Sequence, residues 1–272
     1  MPKTKDKFDC MAAKADKYVL YQRSVQEPGS EVKFFNKVFK KEFGRKPLTL
    51  REDFCGTFAI CCEWVKSNKD RTALGVDLDP EPLAWGKANN LAPLKPKQQE
   101  RVTLLEQDVR TSGEDKFDIL SAQNFSFWIF KTRPALLEYL KHAYQNLNDE
   151  GLMVMDMMGG GECWVEDHTD IRKFKDFKYE WEQHKLDPIT HDATFNIHFQ
   201  FKDGSRLDRA FTYDWRFWSI PEVVELCKEA GFSQVDVYWE GVDDDGEGNG
   251  IYTAQEHASP DPCWIAYIVG IR

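Results

Sequence analysis

Between residues 48 and 157 short apolar runs alternate with stretches whose apolar residues fall three or four apart. The runs near 47–52, 71–77, 101–107, 117–123 and 151–157 predict strands, and the stretches near 57–67, 80–90, 133–147 and 221–231 predict helices. Pro80 and Pro134 stand in first turns, where a missing N–H costs nothing, and Gly151 and Gly231 follow helices as terminators. Strands and helices alternating at this length imply a mainly parallel sheet with helices on its faces.

The pattern differs at both ends of that stretch. Residues 1–46 read as helical, with Tyr18, Leu20, Tyr21 and Val25 near one face and Val32, Phe35, Val38 and Phe39 on a second helix, separated by Pro28-Gly29-Ser30. From 158 to 219 the period falls to two. Phe195, Ile197, Phe199 and Phe201 alternate with Asn196, His198 and Gln200, which is a half-buried strand. Lys202-Asp203-Gly204-Ser205 is a turn, residues 206–215 read as the returning strand, and 179–185 is a further strand candidate. About sixty residues are too many for a simple loop, so an antiparallel β insertion after the fifth strand is expected, covering the strand ends and setting substrate choice. Residues 235–239 and 263–271 read as two last strands. The acidic, glycine-rich segment between them, around Asp243-Asp244-Asp245-Gly246-Glu247, reads as a solvated loop and lacks the spacing of a calcium loop.

The chemistry concentrates in residues 48–79. A strand ends in Glu52-Asp53, turns through Cys55-Gly56-Thr57, enters a helix and returns as a strand stopped by Asp77. An acid at the tip of a second parallel strand accepts hydrogen bonds from both hydroxyls of a ribose, and the turn brings backbone close to the ligand. A dinucleotide site needs G-x-G-x-x-G, so that a pyrophosphate lies on bare backbone. Here Phe54 and Phe58 flank one glycine, and the acids repel phosphate. An adenosine carrying a cationic sulfonium suits the same turn.

At these residues the chain resembles the class I S-adenosylmethionine-dependent methyltransferases, whose first motif is similar to D-x-G-C-G-T-G. The chain has Glu52-Asp53-Phe54-Cys55-Gly56-Thr57-Phe58, matching the acid and the C-G-T core. The second motif matches at Gly75-Val76-Asp77-Leu78-Asp79, a third at Leu104-Leu105-Glu106-Gln107-Asp108-Val109, and a fourth at residues 117–125, ending in Asn124-Phe125. The resemblance implies a Rossmann-like α/β fold. Its sheet would have seven strands, mainly parallel with an antiparallel final strand, plus the small antiparallel insertion after strand 5. It implies S-adenosyl-L-methionine as cofactor, held by Glu52, Asp53, Cys55, Gly56, Asp77, Leu78, Asp108, Val109 and Asn124, with Asp108 meeting the adenine amino group. Such families often fold an N-terminal segment over the cofactor, which makes Tyr21 and Arg23 candidates for lid contacts. Phe125, His198, Arg209 and Tyr213 join Tyr21 as substrate-side candidates, with Arg216 as a further cation. The expected organisation is a helical lid or scaffold at 1–46, a cofactor-binding core at 47–157, a substrate cover at 158–219, and a helix and strands at 220–272 that complete the sheet.

Bulk properties narrow the partners. The chain has 272 residues and a formal net charge of -10, which disfavours nucleic acid as substrate. Seven cysteines show no C-x-x-C pair, and six histidines form no tight cluster, so no metal site is expected. The N-terminal residues lack an apolar secretory segment, and no run reaches the ~18 apolar residues of a membrane span. These features point to a reduced, cytoplasmic protein with no membrane partner. The expected activity is in-line methyl transfer to a small-molecule acceptor, with a general base needed only for a protonated nucleophile. A protein methyltransferase with an acidic groove for a basic peptide, or a non-catalytic module that senses the cofactor, are the alternatives. The acceptor atom and the oligomeric state are not encoded in any recognisable pattern.

Overall fold

A computed structural model describes residues 10–111, 113–243, 245 and 248–272. Residues 1–9, where no secretory segment is expected, and Asp244, Gly246 and Glu247 of the acidic run lie outside the described residues. The helices are α1 (Met11–Lys14), α2 (Lys17–Val25), α3 (Pro28–Phe43), α4 (Ala59–Ser67), α5 (Pro80–Gly86), α6 (Pro96–Gln99), α7 (Arg133–Gln145) and α8 (Ile220–Ala230). The strands are β1 (Thr49–Asp53), β2 (Thr72–Asp77), β3 (Val102–Glu106), β4 (Phe117–Ala122), β5 (Leu147–Gly159), β6 (His168–Lys173), β7 (Phe177–Leu186), β8 (Asp192–Phe201), β9 (Arg206–Arg216), β10 (Gln234–Val242), β11 (Gly248–Ala254) and β12 (Trp264–Ile271). The described residues fall into two compact units, one within 1–26 and 161–217, the other within 27–160 and 218–272.

The larger unit is built on one sheet in the order β11-β10-β12-β5-β4-β1-β2-β3. Strands β5, β4, β1, β2 and β3 run parallel, and β12 runs antiparallel to both of its neighbours. The seven expected strands and the antiparallel last one are therefore present. An eighth, β11, lies where a solvated loop was expected. It pairs antiparallel with β10, and Tyr252 explains why. Its ring packs edge-on against Tyr267 at 4.7 Å, and the Glu240 carboxylate accepts from the Gly250 N–H at 2.7 Å. One half-buried aromatic and one acid hold a hairpin that the glycine-rich composition conceals.

The chain leaves β1 toward β2 and β3 on one side and toward β4 and β5 on the other. The strand order therefore reverses between β1 and β4, and ligands of open α/β sheets bind at the carboxyl end of such a reversal. Asp53 stands level with Val76 and with Ala122, so the turns after β1, β2 and β4 are neighbours. Side chains of β1 alternate as a strand requires. Leu50 packs with Val32, Phe35 and Val38 of α3 and Trp64 of α4, and Glu52 reaches the first turn of α4. Arg51 and Asp53 take the opposite face, where Asp53 meets Tyr139 of α7.

Local signals set the helix ends. Pro28 opens α3 rather than merely breaking the chain before it, and Gly44, left-handed at φ 69°, closes it. Ser219 and Glu222 form a reciprocal cap on α8, and Gly231 ends it.

The smaller unit is an antiparallel sheet in the order β6-β7-β8-β9. Phe177, Tyr179, Ile197, Phe199 and Phe201 bury one face together with Leu20 of α2. The opposite face carries Glu180 across from His198 and Glu182 across from Asn196. β6, rich in charged residues, is the strand that alternation did not reveal.

Candidate functional site

The turn after β1 runs through left-handed backbone at Phe54 (φ 55°), Gly56 (φ 51°) and Phe58 (φ 46°). Two of these are phenylalanines at a conformation that costs a non-glycine residue of order 1–3 kcal/mol. Packing holds them there. The Phe58 ring is fully buried, and a methyl placed on Gly86 of α5 would stand 2.5 Å from its edge. The Phe54 ring lies 5.9 Å from Phe130 and 5.6 Å from Tyr139. Cys55 is buried against Gly75, where an added methyl would come within 2.9 Å of its Sγ. Gly56, by contrast, has nothing within 4 Å of where a Cβ would stand, so its backbone presents a bare surface. Asn124 and Phe125, after β4, are left-handed as well, both at φ 58°. The ends of β1 and β4 thus hold four of the seven non-glycine residues at positive φ among the described residues. Strain of this kind gathers where function fixes geometry.

Asp77 joins the turn to β2. Its Oδ2 accepts from the Gly56 N–H at 2.6 Å and its Oδ1 from the Asp79 N–H at 2.9 Å. A carboxylate offers about four acceptor positions, so acceptor capacity remains for a ligand. Leu78 beside it is largely exposed. Asp108, after β3, is less bare. Arg110 grips it through Nε at 3.0 Å and Nη2 at 2.7 Å, which holds its pKa below the usual carboxylate range. The Val109 carbonyl accepts from Arg51 Nη2 at 2.7 Å, tying that loop to β1.

Inside the turn the acids diverge by face. Asp53 is buried, with Oδ1 on Arg51 Nε at 2.7 Å and Oδ2 accepting from the Tyr139 hydroxyl at 3.1 Å. It braces β1 against α7. Glu52 accepts from the Cys61 N–H at 2.9 Å, at the positive end of α4. Burial still pushes its pKa up to about 7. Asp156 of β5 accepts from the Phe125 N–H at 3.0 Å and holds the left-handed turn, and burial lifts it to about 6. Glu31, in the first turn of α3, accepts from the Tyr267 hydroxyl at 3.0 Å. Burial and then the Asp156 charge raise it to about 8.

These shifts set a pH dependence. A carboxyl whose folded pKa exceeds its unfolded value binds its proton more tightly in the native state, so its contribution to stability is complete below about pH 4.5 and fades as pH rises through the folded value. For Glu52 the fading spans roughly pH 4.5 to 7. Glu52→Gln keeps an acceptor for the Cys61 N–H and removes the titration. Urea midpoints of this variant between pH 5 and 8 are expected to fall less steeply than those of the wild type. Parallel profiles would show that Glu52 does not titrate in this range.

In the smaller unit, Tyr21 and Tyr213 come together on the apolar face. Their hydroxyls are hydrogen-bonded, and the Tyr213 ring stacks on Trp215 at 4.3 Å. His198, a substrate-side candidate on the polar face of its strand, is only 2 % exposed. Its Nδ1 lies 2.6 Å from Asp208 Oδ1 and its Nε2 3.1 Å from Glu182 Oε2. The Arg209 N–H also meets His198 Nδ1 at 3.0 Å, at a strand irregularity where Arg209 is left-handed, and its side chain is exposed. Arg23 forms a two-pronged pair with Asp176 at 2.6 and 2.8 Å. Among the described residues, no group of three or more metal-ligating side chains occurs and no helix is long and apolar enough to cross a membrane.

Sequence reasoning missed Glu31, Asp156 and Arg51. Asp156 carried a signal, being the one acid inside the apolar run Met153-Val154-Met155-Asp156-Met157-Met158. A charge buried in a central strand requires a partner. Glu31 looked like an ordinary first-turn acid.

No family model matches the sequence, and no curated protein matches it. Solved structures do. A S-adenosylmethionine-dependent methyltransferase from Clostridium acetobutylicum superposes with a TM-score of 0.66 at 18 % identity, covering 93 % of this chain and 97 % of that one. DesVI from Streptomyces venezuelae gives 0.67 at 16 % identity, over 95 % and 98 % of the two chains. An amino pentose methyltransferase from Micromonospora echinaspora, solved with S-adenosylmethionine bound, gives 0.64 at 13 % identity, over 93 % and 95 %. With its strand order, antiparallel last strand and second antiparallel sheet, the chain has the Rossmann-like fold of these methyltransferases.

Proposed function

We propose that the protein is a S-adenosylmethionine-dependent methyltransferase acting on a small molecule. The observation that carries the reading is the Asp77 carboxylate. It is fixed against the bare left-handed backbone at Gly56 beside the strand-order reversal, with acceptor capacity left for the ribose hydroxyls. The residues present fit the cofactor. Asp77 and the backbone of Gly56 and Leu78 would hold its ribose, Asp108 and Val109 its adenine, and Glu52, Cys55 and Asn124 would line the methionine side. Asp53 contributes by fixing the strand that carries them. The buried Glu52 carboxylate, which meets the Cys61 N–H and pairs with no cation, suits a ligand that is itself positive. When bound, the cofactor supplies a methyl on a sulfonium, whose departure as a neutral thioether needs no acid. The chain's task is then to orient an acceptor against that carbon, which is worth up to ~7–11 kcal/mol of barrier.

Calorimetric titration with S-adenosylmethionine, S-adenosylhomocysteine and NAD tests the reading. The two adenosyl ligands are expected to bind and NAD not to. Tight NAD binding without response to S-adenosylmethionine would overturn it.

A further inference from the structure

The Glu31 carboxylate has no use in that scheme. The residue is half-buried, yet its Oε2 is closed to solvent and has no hydrogen-bond partner. Oε1 takes one bond, from the Tyr267 hydroxyl at 3.0 Å. Tyr267 pairs directly with Asp156 across β12 and β5, so both side chains leave the same face of the sheet, under the start of α3. Asp156 in turn holds the turn at Asn124-Phe125, the end of the fourth-motif strand, which the resemblance to the methyltransferases implies faces the transferred methyl. Gln123, at the same strand end, adds a second buried acceptor, Oε1, without a partner. The groups facing Glu31 are Asp156 on β5, Glu52 on β1, Glu27 before α3, Tyr267 on β12 and Tyr252 on β11. None is a cation. The site lies across the β1 end from Asp77. Asp156 and Asp77 are three strand spacings apart, about 14 Å, so Glu31 stands on the acceptor's side of the methyl rather than on the ribose side.

We propose that Glu31, backed by Asp156, binds the ammonium group of the methyl acceptor and takes a proton from it, so that the substrate is a small amine. This rests on the methyltransferase reading above. The step balances. The ammonium gives one proton to Glu31 Oε2 and becomes a neutral amine. The nitrogen lone pair forms the new bond to the methyl carbon as the carbon–sulfur bond breaks, and that electron pair stays on sulfur. The product leaves as a methylated ammonium, and Glu31 keeps the proton it took, which restores its resting state. The one proton lost to solvent is the one displaced when the ammonium binds. A free carboxyl raised to about 8 is protonated at neutral pH, so taking up an ammonium displaces a proton.

The test is equilibrium binding of cyclohexylamine and of cyclohexanol, each with and without S-adenosylhomocysteine. The calorimetry is repeated at pH 7 in two buffers of different ionisation enthalpy. The amine is expected to bind in preference to the alcohol, releasing close to one proton per molecule. Glu31→Gln is expected to weaken amine binding by about 10- to 100-fold, as for a lost charge-assisted bond, with S-adenosylhomocysteine affinity held within about threefold. Equal binding of amine and alcohol, no amine binding, no proton release, or an unchanged variant would overturn the proposal. So would loss of S-adenosylhomocysteine affinity in the variant, which would place Glu31 in the cofactor cradle. The proton count on the wild type decides the matter should the variant not fold. Failure of the wild type to bind S-adenosylhomocysteine would remove the cofactor reading and leave the amine titration without it still readable.

Discussion

Asp77→Ala is expected to weaken S-adenosylmethionine binding by about 100-fold or more while the protein stays folded. Two charge-assisted hydrogen bonds to ribose hydroxyls are worth roughly 1.5–3 kcal/mol each, and about 1.4 kcal/mol is a factor of ten. The side chain also accepts the Gly56 and Asp79 N–H groups, so alanine loosens the turn and adds to the loss. Those donors lie near the surface and find water, so the fold survives. Asp77→Asn separates the two effects. Its amide oxygen still takes the Gly56 N–H, and one carboxylate acceptor is lost, so an intermediate affinity is expected. Calorimetry on the three proteins reads the order directly. An alanine variant that binds within about twofold of wild type would mean that Asp77 is a solvated strand end and that the ribose sits elsewhere.

The expectation for Asp77 came from sequence, and the reason is physical. The acid stands at the tip of a strand whose apolar run is unmistakable, after a strand-turn-helix of the kind that α/β nucleotide sites use. The same holds for the parallel core, where each strand is a short apolar block and each helix carries its own stop signals. What stayed hidden depends on contacts distant in sequence. Phe54 and Phe58 looked like departures from a glycine pattern, yet both adopt the left-handed backbone that glycine would supply. Gly86, 28 positions after Phe58, makes the room. Strand β11 is held by Tyr252 against Tyr267 and by Glu240, none of which betrays a strand locally. Strand β6 has five of its six residues exposed, so no alternation marks it. Alternation in β8 correctly placed His198 opposite the phenylalanines. It did not reveal that Asp208 and Glu182 enclose the ring, because those residues come from neighbouring strands. Glu31 and Asp156 meet over 125 positions of chain, and no local pattern announces such a pair.

Asp53→Ala is expected to destabilise the larger unit by about 3–5 kcal/mol, the usual result of stranding one partner of a buried ion pair. Arg51 and Asp53 are 2 % and 1 % exposed. Each nitrogen of the guanidinium makes a hydrogen bond, with Nε on Asp53 Oδ1 at 2.7 Å, Nη1 on Asn146 Oδ1 at 2.9 Å and Nη2 on the Val109 carbonyl at 2.7 Å. Removing the carboxylate leaves a cation that cannot shed its charge, since an arginine does not deprotonate in a protein. It also leaves the Tyr139 hydroxyl without its acceptor. The reverse deletion is gentler. In Arg51→Met the orphan is Asp53, whose pKa burial already pushes up, so at low pH it escapes by taking a proton. The cost of Arg51→Met is therefore expected to be smaller at pH 5 than at pH 8, while that of Asp53→Ala stays high at both. Replacing both residues with apolar ones, Arg51→Met with Asp53→Leu, is expected to recover most of the loss, because no charge remains to be desolvated. Urea unfolding of the four proteins at the two pH values supplies every comparison. An Asp53→Ala penalty below about 1 kcal/mol would show that water reaches Arg51 and that the pair does not hold β1 against α7.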